Sequence, residues 1–208
     1  MKKVITFIMT LVLVVSVAGC GSSKSKYEYE HIGIYDTKTE QYVDIGDSKD
    51  KVDRILGTGT EGTTFSNYTN YADDLTIGYD DAHNVESLSV NYDPEDGETG
   101  ERYALSDGFG YTDTVTDFIE KYPYVYSCDI FQNGQPGKNV CVIVQKTENN
   151  YCILSKEKLM EMSENNISTE TLYRIHVDYD SYDSILGVGI SIVPDNRKWD
   201  KYLVDIEK

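Results

Sequence analysis

Ile45-Gly46-Asp47-Ser48-Lys49-Asp50-Lys51-Val52-Asp53-Arg54-Ile55-Leu56-Gly57 sets the architecture of this chain. The Ser48 hydroxyl is placed to accept an orphan N–H of a first helical turn. Val52, Ile55 and Leu56 fall at i, i+3 and i+4, which makes one apolar stripe. Gly57 suits the left-handed conformation that ends a helix. A helix of about ten residues does not stand alone in water, so its stripe must pack on something. The segments that follow supply it. Phe65 to Tyr71, Leu75 to Tyr79 and Val85 to Tyr92 read as strands, with Asp80-Asp81-Ala82-His83-Asn84 as the turn between the second and third. Leu88 and Val90 alternate with Ser87, Ser89 and Asn91, so one face meets the helix and the other meets water.

The second half repeats this logic. Gly108-Phe109-Gly110-Tyr111-Thr112 precedes a stripe of Val115, Phe118, Ile119 and Tyr122, with Thr112 as the hydroxyl cap and Pro123 as the stop. Strands are expected at Tyr124–Phe131 and Asn139–Lys146, joined by Gln132 to Gly137, with a short one at Tyr151–Leu154. Ser155 caps a helix through about Ser163. Leu172–Tyr179 and Ile185–Val193 form a closing antiparallel pair. Tyr27–Tyr35 is a possible first strand and Tyr202–Ile206 a tail strand. Thr76-Ile-Gly-Tyr79-Asp80 before Val85 is echoed by His176-Val-Asp-Tyr179-Asp180 before Ile185, a degenerate tandem duplication. The expected fold class is α+β: two tandem units, each a short helix packed on an antiparallel β-sheet. They span residues 30–100 and 101–208, and meet at the acidic loop Asp93 to Glu101.

The helix-then-strands unit resembles the β-lactamase-inhibitor-protein-like and SmpA/OmlA (BamE-like) lipoproteins, whose repeat opens Gly-x-Ser/Thr-x-x-x-Val-x-x-x-Leu-Gly-x-Pro. Gly46, Ser48, Val52, Leu56 and Gly57 match, while Gly59 stands where Pro is usual. The second copy matches at Gly110 and Thr112, has Val115 one position early, and keeps Pro123. The resemblance implies a binding or assembly scaffold whose sheets form a concave docking surface.

The amino terminus points the same way. Lys2 and Lys3 precede an apolar run from Val4 to Val17, interrupted by Thr6, Thr10 and Ser16. The run is shorter than the roughly 20 residues that cross a bilayer. It ends in Val17-Ala18-Gly19-Cys20, which resembles the lipobox of a bacterial lipoprotein signal peptide. That resemblance implies cleavage of residues 1–19, a diacylglycerol on the Cys20 sulfur, and anchoring at the extracytoplasmic face of the cell membrane. Residues 20–29, which include Gly21 to Lys26, read as a flexible tether.

Composition narrows the partners. Losing the two leader lysines takes the formal charge from −17 to −19. Such a surface repels nucleic acid and anionic headgroups, so no nucleic-acid partner is expected and the membrane is reached only through the lipid. The 18 tyrosines, many in alternating runs, suit a pleated, half-buried surface. Tyrosine is also enriched at interfaces. Tyr68, Tyr71, Tyr79, Tyr92, Tyr124 and Tyr126 are the candidate partner-binding residues.

Chemistry-bearing patterns are weak. Ser155-Lys-Glu-Lys158 and Ser163-Glu-Asn165 imitate penicillin-recognising motifs but stand almost adjacent, with no Lys-Thr-Gly. His31, His83 and His176 are isolated and read as surface or turn residues. The acidic runs at Asp93–Glu98 and Asp178–Asp183 lack calcium-loop spacing. No catalytic residue, metal site or cofactor is expected. With Phe131 opposite Lys138, Cys128 and Cys141 would face each other across a hairpin and can form a disulfide; Cys152 is left over. The expected function is a membrane-anchored, non-enzymatic protein-binding or envelope-assembly module with an envelope or secreted protein as partner. The alternative is a solute- or cell-wall-fragment-binding lipoprotein with one deep polar pocket.

Overall fold

The computed structural model describes residues 28–62, 67–72, 74–92, 102–127, 130–132, 135–147, 150–164, 172–180, 182–193 and 204–206. The Cys20 anchor, the leader, Cys128 and the loop 93–101 lie outside these residues. In chain order the elements begin with β1 (Glu28–Tyr29), β2 (Gly33–Asp36), β3 (Gln41–Asp44), α1 (Lys49–Leu56), β4 (Thr60–Glu61), β5 (Tyr68–Asn70), β6 (Leu75–Tyr79) and β7 (Val85–Asn91). They continue with β8 (Tyr103–Leu105), α2 (Val115–Lys121), β9 (Tyr126–Ser127), β10 (Ile130–Gln132), β11 (Gln135–Gly137), β12 (Asn139–Lys146) and β13 (Tyr151–Ile153). The last are α3 (Lys156–Glu164), β14 (Leu172–Tyr179), β15 (Ile185–Ile192) and β16 (Val204–Asp205).

The expected cap of α1 is present: Ser48 sits in extended conformation and accepts from the Lys51 N–H. Gly57 ends the helix at positive φ, 85°, but with ψ 177° it does not take the left-handed helical conformation expected of it. The cap of α2 is Thr114, not Thr112. Thr114 and Asp117 exchange side-chain-to-backbone bonds in a capping box, so two orphan donors are satisfied at once.

The two-unit fold class is overturned. The chain is mainly β, and strands from both halves merge into one antiparallel sheet of order β1-β13-β12-β14-β15-β7-β6-β5-β4, with β9 beside β12 and β16 beside β9. Two pairings cross the expected division, β2 with β8 and β7 with β15, and the end of the expected tether is itself a strand, β1, paired with β13. Each half alone would leave long unpaired edges at β7 and β15; joining them removes both. β2, β3 and β8 form a separate three-stranded sheet.

What repeats is half of this sheet. Ser89 faces Gly189 at the centre of the seam; Leu88 meets Ile190 and Val90 meets Val188. Tyr79 pairs with Val85 across a bulge, and Tyr179 pairs with Ile185 across another. The pairing is therefore symmetric under an offset of one hundred residues.

Both helices share one face. Val52, Ile55, Val115 and Phe118 belong to a single core with Ile77, Leu88, Val90, Val188 and Ile190. The opposite face is covered in the second half by α3, whose Leu159 and Met162 pack with Cys141, Ile143 and Leu172. This explains β12, buried from Asn139 to Val144: with apolar matter on both sides its sequence need not alternate. Among the described residues no helix is long and apolar enough to cross a membrane.

Candidate functional site

Most of the candidate tyrosines are structural. Tyr71, Tyr79, Tyr92 and Tyr126 are buried, Tyr68 is half-buried, and Tyr124 is exposed. The Tyr92 hydroxyl donates to Tyr103 O at 3.0 Å and the Tyr126 hydroxyl to Leu154 O at 3.0 Å. A buried tyrosine with a bonded phenol is satisfied within the fold. Tyr92 and Tyr126 therefore belong to the core and not to a docking face. The reason is physical: alternation marks which residues share a face but does not say which face is covered.

Tyr71 and Tyr79 nevertheless lead to a site. The Lys49 N–H donates to His83 O at 2.9 Å, which pins the start of α1 to the turn between β6 and β7. From there the Lys49 ammonium reaches both Asp53 oxygens at 3.2 Å and the Tyr71 hydroxyl at 3.4 Å. It also lies 5.7 and 5.3 Å from the ring centroids of Tyr71 and Tyr79. The Tyr71 hydroxyl donates to Asp53 Oδ1 at 2.7 Å. Its only proton is spent there, so in the 2.7 Å contact between the two phenols Tyr79 donates.

Beside this network lies an open cleft of about 260 Å³. Glu61, Asp80 and Asp81 bring three carboxylates to its lining and Lys49 one ammonium; Asn67, Thr69, Tyr79 and His83 complete it. The Lys49 charge is already engaged by Asp53, so the cleft presents net negative charge and suits a cationic group. Asp80 is held rigidly. Its Oδ1 accepts the N–H groups of Ala82 and Asn84 at 2.9 and 2.8 Å, and these bonds to the charged form, the Asn84 one foremost, hold its carboxyl below the usual range. From sequence Lys49, Glu61 and Asp81 carry no site expectation, and His83 reads only as a surface or turn histidine. The turn chemistry of residues 80–84 was visible, but β4 and the helix start that meet it come from remote stretches.

No family model matches this chain, and neither a curated protein nor a solved structure matches it.

Cys141 is disulfide-bonded, while Cys152 is not. Cys128, the expected partner, lies outside the described residues. The ladder itself differs from expectation: Phe131 faces Pro136 rather than Lys138, and Cys141 faces Tyr126. His176 is no surface histidine. Its ring lies against Gly189, where a methyl group would collide with it, and burial, together with Arg174, pushes it down to about 3. The Asp180 carboxylate is engaged by its own turn, as Asp80 is.

Tyr71→Phe is expected to cost about 1–2 kcal/mol, because the buried Tyr79 hydroxyl and the half-buried Asp53 carboxylate each lose a partner. The same phenols give an alkaline signature. Burial raises Tyr79 from 10.0 to about 12 and raises Tyr71 further. The folded state keeps protons that the unfolded chain releases above about pH 10, so stability falls as pH rises through that range. Urea midpoints should drop between about pH 8 and pH 11, and less so in Tyr71→Phe; a flat profile contradicts the network.

Proposed function

We propose that this protein is a lipid-tethered, extracytoplasmic, non-enzymatic binding module that docks a basic segment of an envelope or secreted protein. The lipobox Val17 to Cys20 supports the location, with the membrane reached through lipid on Cys20 at the outer face. The observation that carries the binding reading is the cleft at the first turn, where Glu61, Asp80 and Asp81 outnumber a lysine that Asp53 already neutralises. An arginine or lysine side chain from a partner fits that charge and that space. A solute-binding role uses the same residues, but about 260 Å³ falls below the roughly 300–1,000 Å³ of pockets that bury most of a small ligand.

The test uses the chain beginning at Gly21 and two fluorescent peptide pools, one lysine- and arginine-rich and one of matched acidic composition. Basic peptides should bind and weaken with salt. Asp81→Lys with Glu61→Lys, both at exposed positions, should lose at least tenfold in affinity without loss of stability. Equal binding of both pools, or an unaffected double variant, counts against the cleft. Intact-mass measurement of the native amino-terminal peptide decides the anchor: an unmodified Cys20 removes it.

A further inference from the structure

The two turns that seat the helices are built alike and finished differently. Asp80 Oδ1 accepts from Ala82 N–H at 2.9 Å and Asn84 N–H at 2.8 Å; Asp180 Oδ1 accepts from Tyr182 N–H at 2.7 Å and Ser184 N–H at 3.0 Å. His83 and Asp183 both take positive φ, 60° and 73°. His83 O receives the Lys49 N–H at 2.9 Å, and Asp183 O receives the Val115 N–H at 3.2 Å. The backbone thus makes the same demand at residues 82 and 182. One is alanine. The other is tyrosine, with 87% of its surface exposed. Just beyond each turn, exposed Glu86 on β7 corresponds to Leu186 on β15, itself 41% exposed.

The first turn is an internal control: it closes without an aromatic ring, so the fold does not require Tyr182. We propose that Tyr182, with Leu186, is an anchor that inserts into an apolar pocket rimmed by basic groups on a protein partner. This rests on the binding-module reading above and adds a second contact to it. Aromatic anchors entering desolvated pockets carry most of the energy of many interfaces. The turn that carries the anchor is held in advance. Besides the Asp180 bonds, the Thr116 hydroxyl donates to Asp183 Oδ2 at 2.8 Å, so the ordering entropy still to be lost on binding is confined to the side chains of the anchor. Asp180 and Asp183 stand on either side of Tyr182 in the chain, and Asp178 is the last residue but one of the preceding strand, so the facing rim must be cationic. Those carboxylates also set the ring against an anionic lipid surface, the other place where an exposed tyrosine settles. β7 and β15 run antiparallel, so the two turns lie at opposite ends of the seam, on the order of 25 Å apart along the strands. Cleft and anchor are separate contacts on one rigid sheet.

The experiment places photoreactive benzoylphenylalanine at position 182 or 81 of the full-length chain in its native cells. Position 182 should give a discrete protein adduct at an apolar site with lysine or arginine beside it. Excess soluble chain from Gly21 should compete the adduct away, and soluble Tyr182→Ala should compete at least tenfold less well. That variant places in the second turn the residue the first turn already carries, so it is expected to fold. An adduct from 81 but none from 182 overturns the anchor and leaves the cleft standing; no adduct from either overturns both. Lipid-only adducts at 182, or undiminished competition by Tyr182→Ala, also overturn it.

Discussion

Arg102→Met is expected to destabilise the protein by about 3–5 kcal/mol, the cost of leaving a buried charge without its partner. Asp36 is fully buried, and Arg102 grips it with two parallel bonds, Nε to Oδ1 at 3.0 Å and Nη2 to Oδ2 at 2.9 Å. The Lys38 N–H and the Thr39 hydroxyl add 2.9 and 3.0 Å bonds to the same carboxylate. The pair ties the β2–β3 turn to the start of β8. Burial pushes the Asp36 carboxyl up, but the Arg102 bonds and its neighbours outweigh this and hold it below the usual range. Its contribution is therefore present above the ordinary carboxylate range and lost as pH falls through the folded value. The gap between wild type and Arg102→Met should narrow in acid. Asp36→Asn combined with Arg102→Met should cost less than Arg102→Met alone, because no buried charge is stranded. Urea unfolding checks both; a loss under about 1 kcal/mol for Arg102→Met contradicts the account.

Phe118→Ala should cost about as much, roughly 3–5 kcal/mol, by opening a cavity under α2. Phe118 is fully buried and meets Phe109 and Tyr122 edge-on, at centroid separations of 5.2 and 4.5 Å. The effect should extend to function. α2 seats the second turn through Val115 and Thr116, so loosening it frees Asp183 and with it the backbone that carries Tyr182. Amides of residues 182–185 should exchange faster in this variant while those around residues 80–85 change less. Equal acceleration at both turns contradicts separate seating by separate helices.

Much of the local structure was legible in the sequence because it is set by neighbours. The Ser48 cap, the Val52–Ile55 stripe and the Gly57 stop are adjacent letters, as are Asp80 to Asn84. Where two local solutions competed, the reading took the wrong one: Thr112 matched a repeat pattern, but Thr114 has Asp117 three residues on and makes the reciprocal cap. Non-local pairing was not legible. Alternation in Val85–Asn91 and Ile185–Ile192 marks faces, and nothing in period two says that Ser89 will meet Gly189. The same gap misassigned the tyrosines. Tyr92 and Tyr126 look no different from Tyr182 along the chain, yet two are core and one is almost wholly exposed. The cleft escaped for the same reason, since Glu61 reaches Asp81 only through β4, β5 and β6.

In this account one cooperative sheet holds the two proposed contact sites in fixed relation. Native-state hydrogen exchange in rising urea tests this directly on the chain from Gly21. The amides of Leu88, Val90, Val188 and Ile190 at the seam, with those of Ile77 and Val142 in either half, should converge on one opening free energy and one urea dependence. Two separate isotherms, with residues 30–92 opening independently of residues 102–193, would contradict it.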